Sequence, residues 1–254
     1  QNEAKQALQQ LINAETSLNG FERLNHARPR ALEYIKSLEK INNAQKSALE
    51  DKVTQSHDLL ELEHIVNEGT NLNDIMGELA NAIVNNYAPT KASINYINAD
   101  NLRKDNFTQA INNARDALNK TQGQNLDFNA IDTFKDDIFK TKDALNGIER
   151  LTAAKSKAEK LIDSLKFINK AQFTHANDEI MNTNSIAQLS RIVNQAFDLN
   201  DAMKSLRDEL NNKAFPVQAS SNYINSDEDL KQQFDHALSN ARKVLAKETG
   251  KNLD

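Results

Sequence analysis

The chain has 254 residues, 39% hydrophobic and 26% charged, with a formal net charge of −5, six glycines, three prolines, no tryptophan and no cysteine. The lack of cysteine excludes disulfides, thiolate metal sites and cysteine nucleophiles, and the acidic balance argues against nucleic-acid binding, which rests on clustered Lys and Arg. So few glycines and prolines argue against a turn-rich β fold, and no run of 18 apolar residues is present to span a membrane.

The first predicted element is a helix over about 1–20 carrying Leu11 and Leu18. Its counterpart lies 127 residues on, where Ile131, Phe134, Ile138, Leu145 and Ile148 follow a 3,4 spacing with Thr141 filling the intervening place. The stripe continues in Phe21, Leu24, Ala27, Ala31, Leu38 and Ile41, and in the second copy in Leu151, Ala154, Ala158, Leu161, Leu165 and Ile168. From Ile148 to Leu151 the step is 3 where the heptad wants 4, which turns the stripe by roughly 100° about the axis. One helix over 128–168, roughly 60 Å long, would therefore bury one face in one bundle and another face in the next. Gly20 and Gly147 mark the place where such a helix would bend or break. Pro29, where the second copy has Ser156, reads as a local kink or a helix start.

Next come two helix starts written as capping boxes, Asn42 with Gln45 and Asn169 with Gln172. Long helices, each long enough to serve two bundles, are expected over about 58–86 and 185–212, the first with Ile65, Leu72, Ile75, Leu79 and Ile83 as one stripe. The segments 87–99 and 213–226 hold prolines and tyrosines and read as the longest loops, with Tyr96 and Tyr223 packing over a bundle end or, as the lesser reading, meeting a partner. Helices over about 100–121 and 227–248 follow, with Phe107, Ile111, Ala114 and Leu118 copied by Phe234, Leu238, Ala241 and Leu245. Ser226 with Asp229 is a weaker capping box.

Exact matches accumulate at the 127-residue offset: Leu18-Asn19-Gly20 and Leu145-Asn146-Gly147, Glu22-Arg23-Leu24 and Glu149-Arg150-Leu151, Ile65-Val66-Asn67 and Ile192-Val193-Asn194, Tyr96-Ile97-Asn98 and Tyr223-Ile224-Asn225. The chain is thus a tandem repeat, and it starts mid-pattern, as a piece of something longer would. The expected fold is all-α: an elongated string of alternating three-helix bundles joined by shared long helices. The divisions fall at 1–20 (the last helix of a preceding bundle), 21–71, 72–147, 148–198 and 199–254, the last lacking its third helix.

The phrases Leu145-Asn146-Gly147-Ile148-Glu149-Arg150-Leu151, Ile168-Asn169-Lys170-Ala171-Gln172 and Phe234-Asp235-His236-Ala237-Leu238-Ser239-Asn240-Ala241-Arg242 resemble the repeats of giant staphylococcal cell-wall-associated adhesins. Those repeats alternate FIVAR modules (1–20, 72–147 and 199–254 here) with GA-like modules (21–71 and 148–198). The resemblance implies a stiff rod of bundles, display outside the cell at the bacterial wall, and binding of a host matrix protein, fibronectin. The GA likeness lies in core spacing at Ala158, Leu161, Leu165 and Ile192, which specifies a three-helix fold and not a binding face, so albumin is the weaker partner. A pure spacer that binds nothing is a further alternative, and the fragment itself is expected to be monomeric and without membrane insertion.

No catalytic, cofactor-binding or metal-binding residue is assigned, and the ligand-binding residues are unknown. His57, Glu61 and His64 share one helical face, but Asn184, Gln188 and Arg191 stand there in the second copy, so a solvated face is favoured over a metal site. His26, His175 and His236 stand alone. Carboxylate pairs such as Asp136-Asp137 and Glu50-Asp51 point in different directions on a helix and read as surface, not as an acid/base pair. Lys135 and Lys155-Ser156-Lys157 interleave with acids as solvated faces. Neither a Gly-rich phosphate loop nor a nucleophile elbow nor a His-Glu-x-x-His motif occurs, and the chain reads as a non-enzyme.

Overall fold

The computed structural model describes residues 1–252, and among them every regular element is a helix. In chain order these are α1 (Asn2–Thr16), α2 (Gly20–Ser37), α3 (Asn43–Gln55), α4 (Leu59–Ala92), α5 (Ile94–Asn98), α6 (Asn101–Leu118), α7 (Phe128–Asp143), α8 (Gly147–Asp163), α9 (Lys170–Asn182), α10 (Ile186–Gln218), α11 (Ser221–Ile224) and α12 (Glu228–Leu245). They fall into two compact units, one made of Gln1–Ala92 with Asn101–Leu145, the other of Ser93–Asp100 with the chain from Asn146 onward.

In the first unit α2 and α3 pack on the first half of α4, and α6 and α7 pack on its second half. Helix α4 has 34 residues, about 51 Å of axis. Its buried residues Leu62, Ile65, Gly69, Leu72, Met76, Leu79, Ile83, Asn86 and Thr90 alternate in steps of 3 and 4 without interruption. An unbroken heptad seam of that length keeps one stripe inward along the whole helix, so a single helix serves two three-helix cores. The first core takes Leu24, Ala31, Ile35, Leu49 and Val53 from α2 and α3; the second takes Phe107, Ile111 and Ala114 from α6 and Ile131 and Ile138 from α7.

The second unit builds the same first core again. Leu151, Ala158, Ile162, Leu165, Ile168, Ala176, Ile180, Leu189 and Ala196 form one buried cluster from α8, α9, α10 and the turn after α8. Helix α10 then runs on for contacts with α11 and α12.

The structure departs from the sequence reading in five places. Residues 128–168 are not one helix: α7 ends at Asp143, and Asn146 precedes α8 with φ −119° and ψ 19°, outside the helical basin. The first copy breaks in the same way, with Asn19 at φ −114° and ψ 13° before α2, so the break goes with the shared Leu-Asn-Gly sequence; in the second copy the Asn146 side chain also donates to Asp100 Oδ2 (2.7 Å) and accepts the Asp100 N–H (3.1 Å). The helices shared between bundles are α4 and, in the second copy, α10, both of the length that the sequence suggests for that role. The expected loops at 87–99 and 213–226 are largely helical: α4 and α10 pass through Pro89 and Pro216 in their last turns, and Ser93 and Ser220 cap the short helices α5 and α11. Pro29 lies inside α2 and does not start it; it and Asn25, whose carbonyl it leaves unbonded, are both exposed. In α8 the core position is Ile162 (0% exposed) and not Leu161 (36%), because the helix stops at Asp163 and the chain then turns. The cap of α12 is Asp227, one residue past Ser226, and its side chain makes no capping bond.

Candidate functional site

The two capping boxes form as the sequence predicts, and each does more than start a helix. Asn42 Oδ1 accepts the Gln45 N–H (2.9 Å) and Gln45 Oε1 accepts the Asn42 N–H (2.9 Å). The Asn42 amide then donates to the carbonyls of Ala117 (3.2 Å) and Gln124 (2.9 Å), and the Gln45 amide donates to Leu126 O (2.9 Å) while facing Met76 Sδ at 3.8 Å. In return Lys120 accepts the Asn43 N–H at its carbonyl (2.9 Å) and donates its ammonium to the carbonyls of Ile41 (2.9 Å) and Glu39. Partial burial, followed by the charge of Lys46, holds that ammonium below the ordinary lysine value, with Glu39 acting the other way.

This clasp ties the α2–α3 turn to the α6–α7 turn, and the second repeat makes it again. The Asn169 amide donates to Val244 O (3.3 Å) and Lys251 O (2.9 Å), the Lys170 N–H donates to Lys247 O (2.9 Å), and Lys247 Nζ donates to Ile168 O (2.6 Å). Gln172 faces Met203 Sδ at 3.8 Å. Both asparagines and both glutamines are buried, where an unmade amide bond is costly. The sequence showed the cap but not the clasp. Its remaining signal was the identity of Lys120 with Lys247 and of Met76 with Met203 at the repeat offset.

Beside each clasp lies an open groove. The first, about 620 Å³, is lined by Leu49, Lys52, His64, Glu68, Asn71 and Phe128 among others. The second, about 680 Å³, is lined by the equivalent positions, including Ala176, Glu179, Gln195, Asp198 and Asn252. A Lys52–Glu68 ion pair (2.6 Å) crosses the first groove, whereas those positions are Glu179 and Gln195 in the second. The shape therefore repeats while its charge pattern does not. Such a groove can hold an extended peptide or a loop through apolar and amide contacts; it does not hold a fixed constellation of reacting groups.

The candidate residues of the sequence are dispersed. Glu61 accepts the His57 N–H (2.7 Å) and so closes the start of α4, while His64 lines the first groove. Among the described residues no group of three or more His, Cys, Asp or Glu is placed to hold a metal ion. His26 and His236 are exposed, and His175 stands 3.7 Å from Glu179 on the second groove. Asp136 pairs with Lys140 (4.0 Å) along α7, and Glu50 and Asp51 lie on α3 with no joint site. Lys135 bonds Asp132 and Glu78, both at 2.8 Å, and their hydrogen bonds raise its pKa. Lys155 donates to Met181 O (2.6 Å). Tyr223 donates to Asp235 Oδ2 (2.7 Å) and meets the Phe234 ring edge-on at 5.7 Å; Tyr96 is half-buried on α5.

Two family profiles cover most of the chain in alternation: the GA module matches residues 21–75 and 148–202, and the FIVAR domain matches 76–146 and 202–254. The chain is 38% identical over 245 residues to extracellular matrix-binding protein ebh of Staphylococcus aureus strain MW2, an alignment covering 96% of this chain and 2% of that protein. It is 37% identical, over the same share of its length, to extracellular matrix-binding protein EbhA of strain Mu3, of which it covers 4%. The chain thus spans only a few per cent of these relatives. A crystal structure of a segment of EbhA from Staphylococcus aureus superposes with a TM-score of 0.71 at 27% identity, over 77% of this chain and 80% of that one. With the alternating modules, the relatives and the shared helical-bundle fold in agreement, the chain belongs to the staphylococcal family of tandem FIVAR–GA repeat proteins that includes Ebh.

Proposed function

We propose that the chain is a repeat segment of a giant adhesin associated with the bacterial cell wall, a stiff run of helical modules that adds length and contributes weak, many-fold contacts to a host matrix protein, fibronectin. The observation that carries this reading is the groove that recurs at 127-residue spacing with its charged side chains exchanged. A catalytic site needs fixed chemistry at fixed positions, and we assign this chain no catalytic step. A repeated surface with variable lining suits summed weak binding, since linking modules multiplies apparent affinity without any new contact. The relatives' names, which describe binding of extracellular matrix, support the same partner class.

The test is binding of this chain to immobilised fibronectin at physiological salt. Saturable binding is expected, weakened when groove residues such as Lys52 and Glu179 are replaced. An absence of saturable binding favours the second reading, a spacer that sets distance for a ligand-binding region elsewhere; the shared helices α4 and α10 are the observation behind it. Albumin titrated in parallel distinguishes the serum-protein reading of the GA-like module.

A further inference from the structure

The chain is acidic as a whole, yet each clasp forms a basic corner. In the first repeat the α2–α3 and α6–α7 turns, residues 36–46 and 119–126, hold Lys36, Lys40, Lys46 and Lys120 against one acid, Glu39. Asp127, the next carboxylate along, is turned to the start of α7, where it accepts the Ala130 N–H (2.8 Å). The bonds of the clasp draw the lysines together. Lys46 Nζ donates to Lys36 O (2.8 Å) and Lys120 Nζ to Ile41 O (2.9 Å), while the Lys40 chain crosses α4 at Gly77, where a Cβ would lie 2.7 Å from its Cδ. All but the half-buried Lys46 are exposed, and none of the four makes an ion pair among the described residues.

The second repeat is basic at the same corner through other residues. Its turns, residues 163–173 and 246–252, hold Lys166, Lys170, Lys247 and Lys251, all exposed, against Asp163 and Glu248. Of these lysines, Lys247 alone stands where the first repeat also has one. Lys36, Lys40 and Lys46 give way to Asp163, Phe167 and Phe173, while Glu39, Asn43 and Gln124 give way to Lys166, Lys170 and Lys251. Gln124 is exposed with α7 in place, so the position of Lys251 faces solvent in a whole repeat. The clasp itself uses one lysine, Lys120 or Lys247, on the carbonyls of the turn. The fold forms with or without the others, and crowding like charges costs stability. A positive sign that persists while its positions change is the mark of a surface that meets negative charge.

We propose that the two clasp corners bind a sulfated polysaccharide, a linear polyanion whose sulfate groups the lysine ammonium groups meet as point charges. Lysine suits this partner. Its ammonium ends a flexible stem and follows charges whose positions vary along a glycan, whereas a phosphate or base edge gripped at a fixed place favours the arginine fork. The inference rests on the proposed function for display outside the cell, where such glycans are found, and does not require fibronectin binding.

Titration of heparin, a highly sulfated glycan, into the whole chain at about 50 mM salt tests this. Saturable binding is expected, weakening steeply as salt is raised because the ammonium groups displace counterions from the polyanion. Replacing Lys36, Lys46, Lys166 and Lys170 together by Gln removes two charges from each corner and keeps the clasp lysines; at about fivefold per lysine, affinity falls about 25-fold. Gln at Lys5, Lys140, Lys204 and Lys213, exposed lysines outside both corners, removes the same total charge and changes affinity by less than about twofold. Both variants keep the wild-type circular dichroism. An absence of saturable binding, a corner variant that loses no more than the control, or binding of desulfated heparin or duplex DNA as tight as that of heparin overturns the proposal. Immobilised fibronectin is read alongside: heparin binding by a chain that ignores fibronectin upholds this inference while the adhesive reading fails, and the reverse result overturns this inference alone.

Discussion

Two tyrosines show how far a single neighbour sets a side chain's chemistry here. Tyr87 lies under the Arg115 guanidinium at 4.3 Å and near Lys91 at 5.3 Å, and the hydrogen bond to Arg115 followed by the charge of Lys91 lowers its pKa. Tyr223 donates to Asp235, which raises the tyrosine's pKa and, with Gln218 adding a second bond, lowers that of the carboxyl. A carboxyl whose folded pKa is depressed contributes stability above its unfolded value and loses that contribution as pH falls through the folded one. The Asp235 contribution is therefore complete at neutral pH and disappears on acidification below the ordinary carboxylate range. An NMR titration of the Asp235 carboxyl should show its pKa moving up toward the ordinary aspartate value in Tyr223→Phe. None of this was legible from sequence: Tyr223 and Asp235 lie 12 residues apart across a turn, and their pairing depends on how α11 meets α12.

At the scale of helices, the two copies of the first core solve one packing problem in two ways. Gly69 on α4 faces Ile35 and Leu49, and a Cβ there would lie 2.7 Å from Ile35 Cδ1 and 3.4 Å from Leu49 Cδ1. In the second copy these positions are Ala196, Ile162 and Ala176; a methyl group gained on one helix answers side-chain bulk lost on the facing one. Gly69→Ala should cost about 1 kcal/mol, overpacking outweighing the gain in helix propensity. Leu49→Ala should cost about 2–5 kcal/mol, and the double variant should cost less than the sum of the two by about 1 kcal/mol, as read from denaturant midpoints. The helices themselves were largely legible, because the seam of α4 and the Asn–Gln boxes are local patterns. Their boundaries were less so. The α7–α8 break, like the α1–α2 break, falls at a Leu-Asn-Gly step inside an unbroken apolar stripe, and Pro89 looked like a loop signal although a proline in a last turn forfeits little of the helix beyond it. Leu161 and Ile162 are adjacent apolar residues, and choosing between them required knowing that α8 stops at Asp163.

Across the molecule, the clasp is the device that the repeat pattern hid in plain view. Asn42 and Asn169 belong to separate compact units and share no partner. Replacing either by Ala removes a cap and takes a hydrogen bond from each carbonyl the amide holds, a loss of about 2–4 kcal/mol, and the losses should combine within about 0.5 kcal/mol in the double variant; calorimetry of the two single variants and the double checks both figures. The module alternation was legible because it is written twice, whereas the groove beside each clasp was not, since its walls come from α3, α4 and the turn before α7. The clasp also bears on how such a gene changes over time. Every bond in it joins residues of one 127-residue block, Asn42 to Gln124 in the first and Asn169 to Lys251 in the second. Unequal crossing-over that deletes or duplicates a whole block leaves each asparagine with its own carbonyls. A crossover out of phase leaves a buried amide without its carbonyls, and its product should unfold more readily and be cut sooner by proteases.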